Sequence, residues 1–149
     1  MPNEQHPLSG CRVLIVEDEY FLAADLQAAL KSLGANVIAL VGDLDEALDL
    51  LANGGFDIAV VDINLRGRLA YSIAERLQQR GIPFVFVTGY SADMIPAQFA
   101  DVIRWEKPFE PQEVLKAPSP TLASWQIAPH QPRPRGSACF NDRRIARAE

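Results

Sequence analysis

The chain has 149 residues and a formal net charge of −5, with 48% hydrophobic and 22% charged residues. That make-up fits one globular domain with room for a tail and excludes a fibrous or wholly disordered chain. No apolar stretch reaches the roughly 20 residues of a membrane span, and polar Met1–Gly10 lacks the apolar core of a signal peptide.

Residues 1–10 hold two prolines and read as a flexible leader. Val13–Val16 is an apolar run that predicts the first strand, from Arg12 onward. Leu22, Leu26, Leu30 and Leu33 then recur at helical spacing, with Gly34 as the stop. Val37–Val41 is the second predicted strand. Asp43 is placed as an N-cap with Glu46 three residues on, and Leu44, Ala47, Leu48 and Leu51 form the buried stripe of the second helix. Ile58–Asp62 predicts the third strand, Asn64–Gly67 a loop, and Leu69, Ile73 and Leu77 the stripe of a third helix ending at Gly81. Pro83–Thr88 is the fourth strand and Val102–Trp105 the start of the fifth.

Short apolar runs alternating with helical stretches predict an α/β fold, a parallel sheet buried on both faces with right-handed crossovers. Only 13 residues separate Thr88 from Val102, and Pro96 sits among them. Proline inside a helix costs about 3 kcal/mol, so the fourth helix is expected to be short, broken or absent. A fifth helix opens at Glu110–Pro111 and meets Pro118 and Pro120 after two turns. Residues 118–149 hold five of the eleven prolines and are expected to be mostly disordered.

Charge divides along the same line. Residues 1–117 carry 17 acidic and 9 basic side chains, while the tail carries five arginines against Asp142 and Glu149. The acidic body speaks against general nucleic-acid binding. Cys11 and Cys139 lie far apart without metal-type spacing or a disulfide framework, which points to a reducing, cytoplasmic setting.

The chemistry gathers at strand ends. Glu17 and Asp18 follow the first strand, Asp62 ends the third, Thr88 ends the fourth, and Lys107–Pro108 follows the fifth. In an open parallel sheet, ligands bind outside the carboxyl ends of the strands. Three carboxylates there repel one another, and a divalent cation removes that cost. Mg²⁺ suits the set, because it takes oxygen ligands and keeps several waters. Asp62 is the candidate nucleophile, since a carboxylate can attack phosphorus to form an acyl phosphate. Lys107 offers a second countercharge and Thr88 a hydroxyl for a further phosphoryl oxygen. Taken singly, each is an ordinary surface acid, hydroxyl or amine; only their co-occurrence at matching strand ends is specific.

VLIVEDE, VVDINL, the threonine of the fourth strand and EKPF, spread over residues 10–117, resemble the receiver domains of two-component response regulators. The resemblance implies a flavodoxin-like, doubly wound five-stranded sheet of order 2-1-3-4-5, with the receiver domain at 11–117. It implies Mg²⁺-dependent transfer of a phosphoryl group to Asp62 from a histidine kinase or histidine phosphotransferase. Glu17 and Asp18 would hold the metal together with Asp62 and the backbone carbonyl of Asn64. Thr88 and Lys107 would read the phosphoryl group.

Pro83–Tyr90 is also similar to a receiver subgroup, common in alphaproteobacteria, with a PFxFATGY-type motif, a reduced fourth helix and no output domain. One departure is Arg104, which stands where most receivers carry an aromatic switch. Tyr90 and Trp105 then either take over that coupling or merely pack.

Other function classes fare worse. A flavin- or nucleotide-binding protein would want a glycine-, serine- or threonine-rich loop where Glu17–Asp18–Glu19 stands. A haloacid-dehalogenase-like phosphatase would place its aspartate after the first strand in a D-x-D context. A receiver-like module that binds protein partners without phosphorylation is the remaining alternative. The residues after 117 are too few and too proline-rich for a DNA-binding output domain. The expectation is therefore a single-domain regulator acting through a downstream protein partner or as a phosphate relay.

Overall fold

The computed structural model describes residues 8–89 and 92–112. In chain order these form β1 (Arg12–Val16), α1 (Tyr20–Ser32), β2 (Asn36–Val41), α2 (Leu44–Asn53), β3 (Ile58–Asp62), β4 (Asn64–Leu65), β5 (Arg68–Leu69), α3 (Tyr71–Gln79), β6 (Phe84–Thr88) and β7 (Arg104–Glu106). Two short 3₁₀ turns, Ala92–Met94 and Ala97–Phe99, lie between β6 and β7. They stand where a fourth helix would run, and Pro96 separates them, as the proline expectation required.

Five strands make one parallel sheet of order β2-β1-β3-β6-β7. This is the expected order 2-1-3-4-5 once the separate β4–β5 ribbon is left out of the count. Two-residue periodicity sorts the side chains of the central strands onto two faces. Val13, Ile15, Ile58, Val60, Val85 and Val87 pack with Leu26, Ala29 and Leu30 of α1. Leu14, Val16, Ala59, Val61, Phe84 and Phe86 pack with Ala47 and Leu51 of α2 and Ile73, Ala74 and Leu77 of α3. Burial on both faces explains why these strands read as continuous apolar runs.

Several expectations need correction. β2 holds the edge that the expected order gives it, while its apolar run conceals an open face: its side chains alternate, and Ile38 and Leu40 are 44% and 39% exposed. Residues 64–67 are not a plain loop, because Asn64↔Leu69 and Leu65↔Arg68 pair as an antiparallel ribbon. That ribbon takes Leu69 out of the third helix and leaves it 48% exposed, so the buried stripe begins at Ile73. The fifth strand is shifted to Arg104–Glu106. Cys11, buried before β1, is disulfide-bonded rather than a free thiol. Most of the leader, Tyr90, the body of the fifth helix and the tail lie outside the described residues. Among the described residues no helix is long and apolar enough to cross a membrane.

Local signals behave as their chemistry dictates. Asp43 caps α2 by accepting a hydrogen bond from the Glu46 backbone N–H at 3.0 Å. Gly42 has a different reason: a Cβ there would come within 3.1 Å of the Asp18 Cα and 3.3 Å of the Glu17 carbonyl oxygen. Glycine at this position lets the end of β2 press against the loop that follows β1.

Candidate functional site

β1 and β3 are neighbours with Val16 opposite Val61, so the next residues, Glu17 and Asp62, meet at the carboxyl edge. Both continue the rows that face α1, which buries them: Glu17 is 2% and Asp62 3% exposed. Asp18 is half-buried beside them, and one carboxylate oxygen from each of the three residues lies within 4.8 Å of the others. β6 and β7 supply the far side. Thr88, 2% exposed, ends β6, and its carbonyl oxygen accepts the Lys107 backbone N–H at 2.8 Å. The Lys107–Pro108 peptide bond is cis, and the Lys107 side chain lies over the carboxyl edge.

The Lys107 ammonium donates to Asp62 Oδ2 at 3.2 Å, Glu17 Oε2 at 3.4 Å and Glu19 Oε1 at 3.1 Å. Backbone donors complete the frame. Glu19 N–H bonds Glu17 Oε2 at 2.9 Å, Asn64 N–H bonds Asp62 Oδ1 at 3.0 Å, and Arg66 N–H bonds Asp18 Oδ2 at 3.1 Å. Glu17 Oε1 is buried with no hydrogen-bond partner. Three carboxylates thus share one ammonium with Asp18 standing beside them, and one buried carboxylate oxygen is left unsatisfied.

The titration of these groups follows from that imbalance. Burial pushes the Glu17 carboxyl up to about 8; the Glu19 N–H opposes the rise and the Asp62 charge adds to it. Burial also raises Asp62, against the opposing pull of its bond with Glu17, the Lys107 charge and the Asn64 N–H. Burial works to lower Lys107, but Asp62, Glu19 and Glu17 together hold it above its ordinary value. An unsatisfied buried carboxylate oxygen among crowded hard oxygen donors fits a small divalent cation such as Mg²⁺.

The edge therefore brings together the site residues expected from the sequence: Asp18, Asp62, Asn64, Thr88 and Lys107 border one cleft, and Glu17 lies buried behind it beside Asp18, Asp62 and Lys107. Trp105 is buried against Phe109, with ring centroids 5.8 Å apart, and Arg104 is ion-paired with Glu106. Three further residues escaped sequence reasoning. Glu19 was visible only as part of an acidic run, and nothing local marks it as a partner of Lys107. Gly42 lacked any turn signal. Arg66 sat in what read as an ordinary loop.

Residues 13–118 match the family described as the response regulator receiver domain. The transcriptional regulatory protein DltR of Streptococcus agalactiae is 33% identical over 109 residues, 70% of this chain and 48% of its own length. The phyllosphere-induced regulator PhyR of Methylorubrum extorquens is 27% identical over 120 residues, 78% of this chain and 45% of its own. The chain thus spans about half the length of the curated relatives it matches. Among solved structures, SdrG from Sphingomonas melonis is 38% identical with a TM-score of 0.67, covering 81% of this chain and 98% of SdrG. A BeF3-activated conformation of SdrG aligns with a TM-score of 0.64.

Proposed function

This chain belongs to the response regulator receiver family, and we propose that it accepts a phosphoryl group on Asp62 from a phosphohistidine donor. The observation that carries the reading is the convergence of Glu17, Asp18, Asp62 and Lys107 around a buried, unpartnered carboxylate oxygen. In the step, an Asp62 oxygen attacks phosphorus and the bond from phosphorus to the donor histidine nitrogen breaks. That nitrogen keeps the electron pair. Asp62 becomes an acyl phosphate, and the donor is a histidine kinase or a histidine phosphotransferase.

Glu17, Asp18, Asp62 and the Asn64 carbonyl would hold Mg²⁺, which when bound supplies countercharge to the phosphoryl oxygens. The chain's own groups do the rest. Asn64 N–H and Lys107 fix the two oxygens of Asp62, at 3.0 and 3.2 Å, so that the nucleophile is oriented before the donor arrives. Lys107 then turns part of its charge from the carboxylates to the new phosphoryl oxygens, and the Thr88 hydroxyl donates to another. Movement of Thr88 pulls on the segment that follows it. That segment is held by 3₁₀ turns and a few side-chain bonds, so it is the element that changes packing. That a BeF3-activated conformation exists for SdrG, 38% identical, supports a chain that can be activated at this site. Signalling then passes through contacts with a downstream protein or onward relay of the phosphoryl group, from a receiver unit spanning residues 11–117.

The test is incubation with acetyl phosphate and Mg²⁺ followed by intact mass measurement, with Asp62→Asn and a chelator as controls. The expected result is a gain of one phosphoryl group in the native chain alone. A gain that persists in Asp62→Asn removes Asp62 from the role. No gain in any sample leaves the protein-binding module that works without phosphorylation.

A further inference from the structure

The β4–β5 ribbon closes over the site with a two-residue turn made of Arg66 and Gly67. Both have positive φ, 55° and 88°, as a type I′ hairpin turn requires. Asn, Asp or Gly is the usual first residue of such a turn, because a bulkier side chain is strained there. Arg66 is the one non-glycine residue in the left-handed region among the described residues. It is held there by its own N–H to Asp18 Oδ2 and by the Gly67 N–H to Asn64 Oδ1 at 2.7 Å. A residue kept against its conformational preference at the rim of a cleft points to work done by the side chain.

The cleft has a volume of about 420 Å³, and Arg66 borders it together with Asp18, Asp62, Thr88 and Lys107. Its two cations differ in what they are free to do. Lys107 already serves three carboxylates, so a phosphoryl oxygen must draw it away from them. Arg68, two residues along the ribbon, is paired with Asp45 at 3.2 Å. The Arg66 guanidinium enters no ion pair among the described residues. A planar, permanently charged fork is the side chain best matched to phosphate oxygens.

Resting on the phosphoacceptor reading, we propose that Arg66 is an anion-binding residue that captures the incoming phosphoryl group and sets the affinity for small phosphodonors. With acetyl phosphate, Arg66 binds the donor's phosphoryl oxygens while an Asp62 oxygen attacks phosphorus. The bond from phosphorus to the acetyl oxygen breaks, and acetate leaves with the electron pair. Arg66 neither gives nor takes a proton, and its contribution is to binding.

The experiment measures Asp62 phosphorylation rates by intact mass across a range of acetyl phosphate concentrations. Native chain, Arg66→Asn and Arg66→Lys are compared, and Mg²⁺ affinity is titrated in parallel. Arg66→Asn suits the turn better than arginine and removes the guanidinium with its charge. The expected result is a KM raised about three- to tenfold in Arg66→Asn, the range for a solvent-exposed charge-assisted contact, with kcat within about twofold. Arg66→Lys restores most of the affinity, Mg²⁺ binding is unchanged, and added salt raises KM in the native chain more than in Arg66→Asn. An Arg66→Asn chain with native KM overturns the proposal. So does a fall in kcat together with Mg²⁺ affinity, which would make Arg66 a loop-positioning residue. If the native chain takes up no phosphoryl group at all, the phosphoacceptor reading itself fails; native uptake with no effect of Arg66 sinks this inference alone.

Discussion

A buried carboxylate stands at each end of β3, and the two are treated in opposite ways. Asp57, just before the strand and 5% exposed, accepts the Arg12 backbone N–H at 2.9 Å and its Nε and Nη2 at 3.1 and 3.0 Å. Its charge is answered by a dedicated two-pronged cation, half-exposed to water, which makes this end a fastening between β1 and β3. Asp62, at the other end, faces Glu17 and Asp18 and shares a single lysine with Glu17 and Glu19. The same strand thus closes one charge account at its amino end and leaves the other open at its carboxyl end. An answered buried charge stabilises; an unanswered one waits for a ligand.

The sharpest way to break this contrast is to neutralise each carboxylate in turn. Asp62→Asn is expected to abolish phosphoryl uptake and to raise metal-free stability by about 1 kcal/mol, because it relieves the crowding of like charges. Asp57→Ala is expected to keep uptake and to lower stability by about 2 kcal/mol, since the Arg12 N–H and guanidinium lose their acceptor. Intact mass and denaturant unfolding read the two outcomes separately. If both variants lose stability alike, the two ends do not differ as described.

Next in size is a pH effect confined to the open end. Without a cation, folded Glu17 keeps its proton up to about pH 8, whereas the unfolded chain releases it near 4.5. The folded state binds more protons through that window, so metal-free stability falls as pH rises from 4.5 toward 8. Mg²⁺ must displace the same proton, so its affinity is expected to rise up to about tenfold per pH unit and to level off above pH 8. Calorimetric titrations in two buffers of different ionisation heat would detect the released proton.

A smaller effect tests how the frame holds the acids. Gly42→Ala forces a Cβ to 3.1 Å from the Asp18 Cα, and the loop after β1 must shift. Mg²⁺ affinity is expected to fall about three- to tenfold while the fold survives, a loss in line with disturbing the groups that orient a metal's ligands. The smallest concerns the segment after β6. The Tyr71 hydroxyl donates to the Met94 carbonyl at 3.3 Å, and the ring stacks on Phe99 at 5.6 Å. Tyr71→Phe keeps the stacking and removes one exposed bond, worth under about 1 kcal/mol. Faster hydrogen exchange confined to residues 92–99 is the expected result, with exchange in β1 and β3 unchanged.

Much of the fold was legible because burial on both faces writes itself as apolar runs and helical stripes. Leu69 shows the limit of such reading. It fits the helical spacing with Ile73 and Leu77, yet the β4–β5 ribbon claims it, because two positive φ values at residues 66 and 67 reverse the chain. β2 shows another: its composition resembles the central strands, and only its edge position exposes Ile38 and Leu40. The site residues at strand ends were readable as a set. Glu19 and Arg66 were not, since neither their spacing nor their type separates them from surface charges.

What the sequence by itself determined was the alternation of strands and helices and the identity of the acids, hydroxyl and amine that end the strands. These are local facts, carried by periodicity and by the residue that follows each run. Only the tertiary structure decided that Lys107 reaches acids 45 and 90 residues away, that Glu17 keeps one oxygen without a partner, and that Asp57 has a cation to itself while Asp62 shares one. Strand order and register set those distances, and the cost of a buried charge depends on everything packed around it rather than on its neighbours along the chain.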